Sequence, residues 1–344
     1  QNSFGRIAIA LAQTFNEQHR LGMDLNGEMG TDFFTISSPK VISSLMNSGT
    51  SSVSAVITDS GALTTSDYQF SFDGTNYTLM RLSDNVSIST SLAPSSSTPL
   101  TLDGVAITGA TILANERFLI QPTINGAKDI EVNIKDTSKI AAAGPNRTSS
   151  TLSNTGTGTI STGTVTTSPV DSNLQQPLTI TFQTPFNGLY DVTGIGTGLP
   201  ATSQVYTSGA DITFNGYTFQ ISGEPAAGDI FTVTPNHNGS ADNRNALLLG
   251  ALQTKNTLES GSATYQSSYG QLVSQIGNKT RELEVTSKAQ ANLLTQTKKS
   301  MESISGVNLD EEAANLMKFQ QAFQASSKVI EISEKLFSSI LQLG

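Results

Sequence analysis

The sequence has no cysteine, no tryptophan and only two histidines. Without cysteine there is no disulfide, no thiolate metal site and no thiol nucleophile. His19 and His237 stand in unrelated surroundings, with no serine, aspartate or second ligand at catalytic or metal-binding spacing, so both are expected at turns or on the surface. The glycine-rich stretches Gly156–Gly158 and Gly194–Gly198 are not followed by a helical pattern, and no Gly-Lys-Ser/Thr occurs, which argues for turns rather than phosphate loops. Carboxylates are frequent, but nothing singles out a catalytic pair. No enzyme, cofactor or metal site is therefore expected. No apolar run approaches the roughly 18 residues of a membrane-spanning helix, so no membrane insertion is expected.

Positive charge is also scarce in one part of the chain. Residues 1–240 carry 9 Lys or Arg against 18 Asp or Glu, and residues 241–344 carry 10 against 10; the net charge of −9 lies wholly in the first part. An acidic surface with no basic patch argues against nucleic acid or an anionic membrane as partner.

What the chain does have is concentrated at its ends. In the segment from Asn308 to Gly344, Leu309, Leu316, Phe323, Ile330 and Phe337 recur every seventh residue. They form one stripe of an α-helix, which Ala313, Ile332, Leu336, Ile340 and Leu343 widen. Asn308 is placed to cap this helix, with Glu311 at the third helical position, and Asp310, Glu311 and Glu312 complement the positive end of its dipole. That gives the acidic triplet a structural reason in place of a metal. A lone helix is marginal in water, so this is an interaction helix that needs partners.

A second helical pattern runs from Ala263 to Ile304. Tyr269, Ile276 and Leu283 are seven apart, and Leu294 and Met301 continue a neighbouring stripe, giving a coiled-coil-like rod roughly 60 Å long at 1.5 Å per residue. Ser305-Gly306 interrupts it. At the other end Phe4, Ile7, Leu11 and Phe15 mark an amphipathic helix over Ser3–Arg20, expected to pack against the C-terminal helices. In the loop after it, Asp24, Asn26 and Glu28 alternate like calcium ligands but lack the later bidentate glutamate, which favours a tight turn.

Between about Phe34 and Pro235 the period changes to two. Tyr68–Phe72 before Asp73-Gly74, and Ile130–Ile134, are expected as strands of an all-β region that folds independently of the helices. The stretch Leu100–Gly126 matches Ile212–Gly239 in its strand, Asp/Asn-Gly, strand opening and in its later Phe-x-Ile/Val-x-Pro run, at an offset of 112 or 113 residues. A weaker match pairs Phe70–Leu79 with Phe182–Val192. Two related β domains are expected. Asn146–Val170, with fourteen Ser or Thr in twenty-five residues, reads as a linker or an exposed edge.

The expected organisation is a multidomain α plus all-β chain, with a coiled-coil-like helical base formed by both ends and antiparallel β domains inserted between them. Residues 1–34 are a helical segment of the base, 35–145 and 146–240 the β domains, 241–304 the long helices and 305–344 the terminal helix.

The wording of several segments adds a resemblance. SGVNLDEEAANLMKFQQAFQASSKVI (Ser305–Ile330), DNRNALLLGALQ (Asp242–Gln253), GNKTRELEV (Gly277–Val285) and ALAQTFNEQHRLGMDLNGEMGTDFF (Ala10–Phe34) resemble the flagellar axial proteins, and among them the hook-associated protein 1 family. The resemblance covers both flanks well and the middle poorly. It implies a structural subunit at the junction of hook and filament, extracellular and exported by the flagellar type III apparatus without a cleaved signal peptide. It further implies that the chain, which starts at Gln1, is the C-terminal part of a longer protein. The implied partners are other copies of itself in a ring, the hook protein, the second junction protein and an export chaperone at the C-terminal helix. On this reading Leu309, Leu316, Phe323, Ile330, Leu336, Phe337 and Ile340 form the assembly interface. Phe4, Ile7, Leu11, Phe15, Tyr269, Ile276, Leu283, Leu294 and Met301 pack the helices of the base. The alternatives are another axial protein, such as flagellin or the second junction protein, or an extracellular glycan-binding β protein with a helical stalk. The absence of tryptophan platforms weighs against the last.

Overall fold

The computed structural model describes residues 1–109, 112–167, 169–237, 239–306 and 308–342. Leu343 and Gly344, at the end of the expected terminal stripe, lie outside the described residues. The chain forms two compact units, Gln1–Leu272 and Val273–Gly344.

The first unit opens with α1 (Asn2–Arg20). Its fully buried positions include Gly5, Ile9, Ala12, Asn16 and His19, which share one helical face by their spacing of four and three. Gly5 is required by close approach: a Cβ there would lie 1.7 Å from the Thr123 carbonyl oxygen. This contact sets α1 against the short helix α2 (Gly126–Asp129).

The β region then contains the same arrangement twice. In the first copy a five-stranded antiparallel sheet has the order β1 (Lys40–Ser43), β8 (Arg117–Gln121), β3 (Tyr68–Phe72), β4 (Tyr77–Arg81), β5 (Ser87–Thr90). It faces a three-stranded sheet of β2 (Val53–Ile57), β7 (Val105–Gly109) and β6 (Leu100–Leu102). In the second copy β9 (Asn146–Ser150), β17 (Ile230–Pro235), β12 (Leu178–Phe182), β13 (Leu189–Gly194) and β14 (Ala201–Val205) repeat that order. The smaller sheet pairs β16 (Tyr217–Ser222) with β15 (Asp211–Phe214) on one side and with β10 (Thr159–Ile160) and β11 (Thr164–Val165) on the other. Each copy encloses its own buried cluster, around Tyr68, Phe70, Leu79 and Ile120 in one and Phe182, Tyr217, Phe219 and Phe231 in the other.

Register fixes the equivalences. Phe70 pairs with Leu79 and Phe118, and Ile180 pairs with Val192 and Phe231. The counterpart of Phe70 is thus Ile180, and that of Phe182 is Phe72, so the weaker sequence match is two residues out of step at its start and in register at its end, Leu79 with Val192. The β12–β13 hairpin is three residues longer than β3–β4, and this hid the true alignment. The stronger match is in register: Asp103-Gly104 and Asn215-Gly216 both take left-handed backbone, with φ of 50° and 73° in one pair and 52° and 71° in the other. Two positive φ values in succession are what a two-residue type I′ hairpin requires.

One expectation is corrected. Ile130–Ile134 is not a strand but an irregular segment making a single bridge, Val132 to Phe34, because its carboxyl neighbours turn at once into a 3-10 helix over Thr137–Lys139. Of the two readings of the Ser/Thr-rich stretch, the exposed edge holds at its start: Asn146–Ser150 is the edge strand β9, paired along its length with β17. The β region also touches the N-terminal segment: Ile9 of α1 lies in the first buried cluster, and Met29, in the loop after α1, packs on the second.

After the second β domain, α3 (Arg244–Ala251) is started by Asp242, whose carboxylate accepts the Arg244 amide and is held by the Arg244 guanidinium at 2.7 Å. α4 (Tyr265–Ser305) and α5 (Leu309–Leu341) complete the chain. Only the first turns of α4 belong to the first unit.

Candidate assembly surface

α5 begins as its sequence dictates: Asn308 is its N-cap, and its side-chain oxygen accepts the Asp310 amide at 3.2 Å. No residue of α5 is buried. The heptad positions range from 59 % exposed at Leu336 to 79 % at Leu309, with Leu316, Phe323, Ile330, Phe337 and Ile340 between these values. Met317, Phe319, Val329 and Leu341 are also exposed and broaden the apolar surface. On another face Glu331 bridges Lys328 and Lys335 at 2.6 and 2.7 Å. Lys328 first, then Lys335, holds the Glu331 carboxyl below its ordinary range.

An exposed row of Leu, Ile and Phe along a helix of 33 residues is an unpartnered seam. Covering each such side chain contributes roughly 1.5–3 kcal/mol as an upper estimate. From Val273 to Ile304 the residues of α4 are likewise exposed. Among the expected packing residues, Ile276 is 49 % and Met301 63 % exposed, with Leu283 and Leu294 between them.

The remaining expected packing residues lie in the first unit. Phe4 meets Tyr269 with ring centroids 6.3 Å apart. Ile7 packs on a small cluster of Ala10, Leu258 and Ala263 together with Tyr265, and the Thr14 and Tyr265 hydroxyls are hydrogen-bonded. Phe15 instead meets Phe33 at a tilt and Phe34 edge-on, with ring centroids 4.9 and 5.3 Å away. Leu11 is half-buried.

His19 corrects the expectation of a surface histidine. It is fully buried, its Nδ1–H donates to the Thr31 carbonyl at 2.7 Å and its Nε2 accepts the Ala141 amide at 2.9 Å. Burial lowers its pKa, against the raising influence of the Thr31 bond and of Asp24 and Asp32. Both ring nitrogens are thus used by backbone, which leaves neither for a metal or a reaction. Asn16, one turn earlier, is equally buried and clasps Phe34 by donating to its carbonyl and accepting its amide, both at 2.8 Å. Asn245 donates to the Ala141 carbonyl at 2.6 Å and accepts from Gln18 at 2.7 Å. His19 and Asn245 therefore tie α1 and α3 to the same strap of chain at Ala141. These polar anchors were missed because the search for a core face followed apolar residues; their spacing along α1 was the signal available.

The Asp24 loop is the expected tight turn, since Asp24 Oδ1 accepts the amides of Asn26 and Glu28 at 2.8 and 2.9 Å. His237 is exposed, with Nδ1 3.4 Å from the Gly27 carbonyl oxygen. Among the described residues there is no group of three or more His, Asp or Glu placed to hold a metal.

Comparison with known proteins points the same way. Residues 1–34 match the flagellar hook-associated protein FlgK helical domain, residues 42–122 the flagellar hook-associated protein 1 D2-like domain, and residues 298–343 the flagellar basal body rod FlgEFG protein C-terminal family. The chain is 27 % identical over 344 residues to flagellar hook-associated protein 1 of Escherichia coli, covering all of this chain and 46 % of that protein. It is 29 % identical over 345 residues to that of Salmonella typhimurium, covering all of this chain and 47 % of that one. The chain thus spans about half the length of the curated relatives it matches. Among solved structures, the flagellar hook junction protein FlgK from Burkholderia pseudomallei superposes with a TM-score of 0.76 at 28 % identity, over 88 % of this chain and 60 % of that one.

Proposed function

We propose that this chain, which belongs to the flagellar hook-associated protein 1 family, is a structural subunit at the junction of the flagellar hook and filament. The observation that carries the reading is the continuous apolar seam of α5, exposed along its whole length. Such a seam is stable in water only when helices of neighbouring subunits cover it. The subunits therefore pack as a ring through their terminal helices, Leu309, Leu316, Phe323, Ile330, Leu336, Phe337 and Ile340 forming the contact. Ile276, Leu283, Leu294 and Met301 of α4 supply further helix packing in the same assembly. The hook protein and the second junction protein are the neighbours on either side. The same seam must be shielded before assembly, which fits an export chaperone bound to α5 and passage through the flagellar type III apparatus. The two β domains, which hold the acidic part of the chain, face outward.

The test is deletion of the gene for this chain in a flagellated host, followed by electron microscopy of hooks and assay of filament subunits in the medium. The reading expects bare hooks and shed filament subunits, both reversed when the gene is restored. Filaments of ordinary number and attachment in the deletion strain would refute it.

A further inference from the structure

The duplication of the β domains exposes a feature that folding does not explain. After β1 the chain reads Ser43-Ser44-Leu45-Met46-Asn47-Ser48-Gly49, and after β9 it reads Ser150-Thr151-Leu152-Ser153-Asn154-Thr155-Gly156. The two stretches occupy the same place in the fold and are held by the same bonds. Asn47 and Asn154 amides donate to the Ser44 and Thr151 carbonyls, each at 3.1 Å. The Asn47 side chain donates to the Arg117 carbonyl at 2.8 Å and accepts the Arg117 amide at 3.0 Å. Asn154 does the same with Ile230, both at 2.8 Å. Glu116 accepts the Ser48 amide at 2.9 Å, and Asp229, its counterpart, accepts the Thr155 amide at 2.8 Å.

These bonds account for the shared asparagine and acid. They do not account for the leucine, because Leu45 and Leu152 are each fully exposed, at 104 %. A fully exposed leucine on a rigid turn contributes nothing to its own domain, and a single exposed leucine is ordinary. Its presence at the same site in both copies, on turns fixed so firmly, is the mark of a contact residue.

A receiving surface exists on the same molecule. A cleft at the foot of the second β domain is lined by Leu21, Pro145, Val165, Leu247 and Leu248, and Leu247 and Leu248 remain 65 % and 46 % exposed. Pro145 precedes β9 and Leu152 follows it, so the cleft and the knob lie at opposite ends of one strand, roughly 20 Å apart at about 3.3 Å per residue. The knob cannot fill the cleft of its own chain. An apolar knob at one end and a largely apolar hollow at the other are the two halves that a head-to-tail contact between copies requires. We propose that the Leu152 turn seats in the Leu247–Leu248 cleft of a second copy of this chain. The inference rests on the repeat and the cleft, independently of the role of α5.

The absence of native cysteine makes the test direct. The test leaves Leu152, Leu247 and Leu248 in place and puts the cysteines beside them. Ser153→Cys, next to the knob, and Thr162→Cys, on the wall of the cleft, both exposed, are mixed under mild oxidation, with Val205→Cys, another exposed site, replacing Ser153→Cys as control. Met46→Cys, beside Leu45, with Thr162→Cys forms a third arm. The Ser153 and Thr162 pair should yield mixed disulfide dimer at least about ten times faster than the control, the factor expected from seating one leucine, and adding Leu152→Ala to the Ser153→Cys copy should remove that advantage. Circular dichroism of each variant should be unchanged, since all the substituted residues are exposed. Equal rates in the test and control arms would overturn the proposal. So would an advantage that survives Leu152→Ala, homodimers of the Ser153→Cys variant outrunning the mixed ones, or the Met46 arm outrunning the Ser153 arm.

Discussion

His19 shows how a single buried residue ties the sequence to a measurable property. As pH falls, the unfolded chain takes up a proton near pH 6.5, while in the folded chain both ring nitrogens are engaged and burial holds the pKa lower. The neutral form is favoured by folding, so its contribution is fully present above about pH 6.5 and is lost as pH falls below it. Thermal melts should therefore show a falling midpoint from pH 7 toward pH 5. The fall should be shallower in His19→Phe, which is destabilised at pH 7.5 by about 1–3 kcal/mol through the orphaned Ala141 amide. An unchanged pH slope in that variant would remove His19 as its origin. The spacing of His19 with Ile9, Ala12 and Asn16 along α1 was the only hint of this role in the sequence, because a lone histidine carries no motif; its partner, the Ala141 amide, is 122 residues away.

At the scale of the element, α1 is more than an end piece waiting for a helical neighbour. Its Phe4, Ile7, Leu11, Phe15 stripe is readable by eye, yet the fully buried face carries Gly5, Ile9, Asn16 and His19. Apolar periodicity detects helices reliably but ranks faces by hydrophobicity, and here a glycine and two polar anchors outrank the greasy side. Ile9→Ala should cost about 2–5 kcal/mol, as truncations in packed cores do, and should lower the unfolding midpoint of the β region with it. If the β signal melted unchanged, Ile9 would not belong to that core. The opposite holds for α5. Phe323→Ser with Ile330→Ser removes two exposed side chains, so the midpoint of the isolated chain should move by no more than about 1 kcal/mol in stability. A large loss would mean that the seam is already covered within the chain. The heptads, the Asn308 cap and the Ser305-Gly306 break were legible because each depends on local chemistry. The offset of β3 and β4 from β12 and β13 was not, because it depends on the length of a hairpin.

For the molecule as a whole, duplication and charge divide the labour. Two copies of one sheet arrangement, tied together through α1, α3 and the Ala141–Asn146 strap, form a unit with its own cores. The longest exposed apolar helical surface among the described residues runs along α4 and α5, in the part of the chain with balanced charge. An uncharged seam suits close packing of many copies, since like charges across such a contact would repel. The central claim is that this seam assembles the junction. Its most direct test is the fraction of hooks bearing filaments in cells whose only copy of this protein carries Phe323→Ser and Ile330→Ser, with secretion of the variant measured in parallel. Removing two anchors takes away roughly 3–6 kcal/mol of burial per subunit as an upper estimate. The account expects a secreted variant, bare hooks and filament subunits in the medium; a variant secreted normally that still supports attached filaments would contradict it.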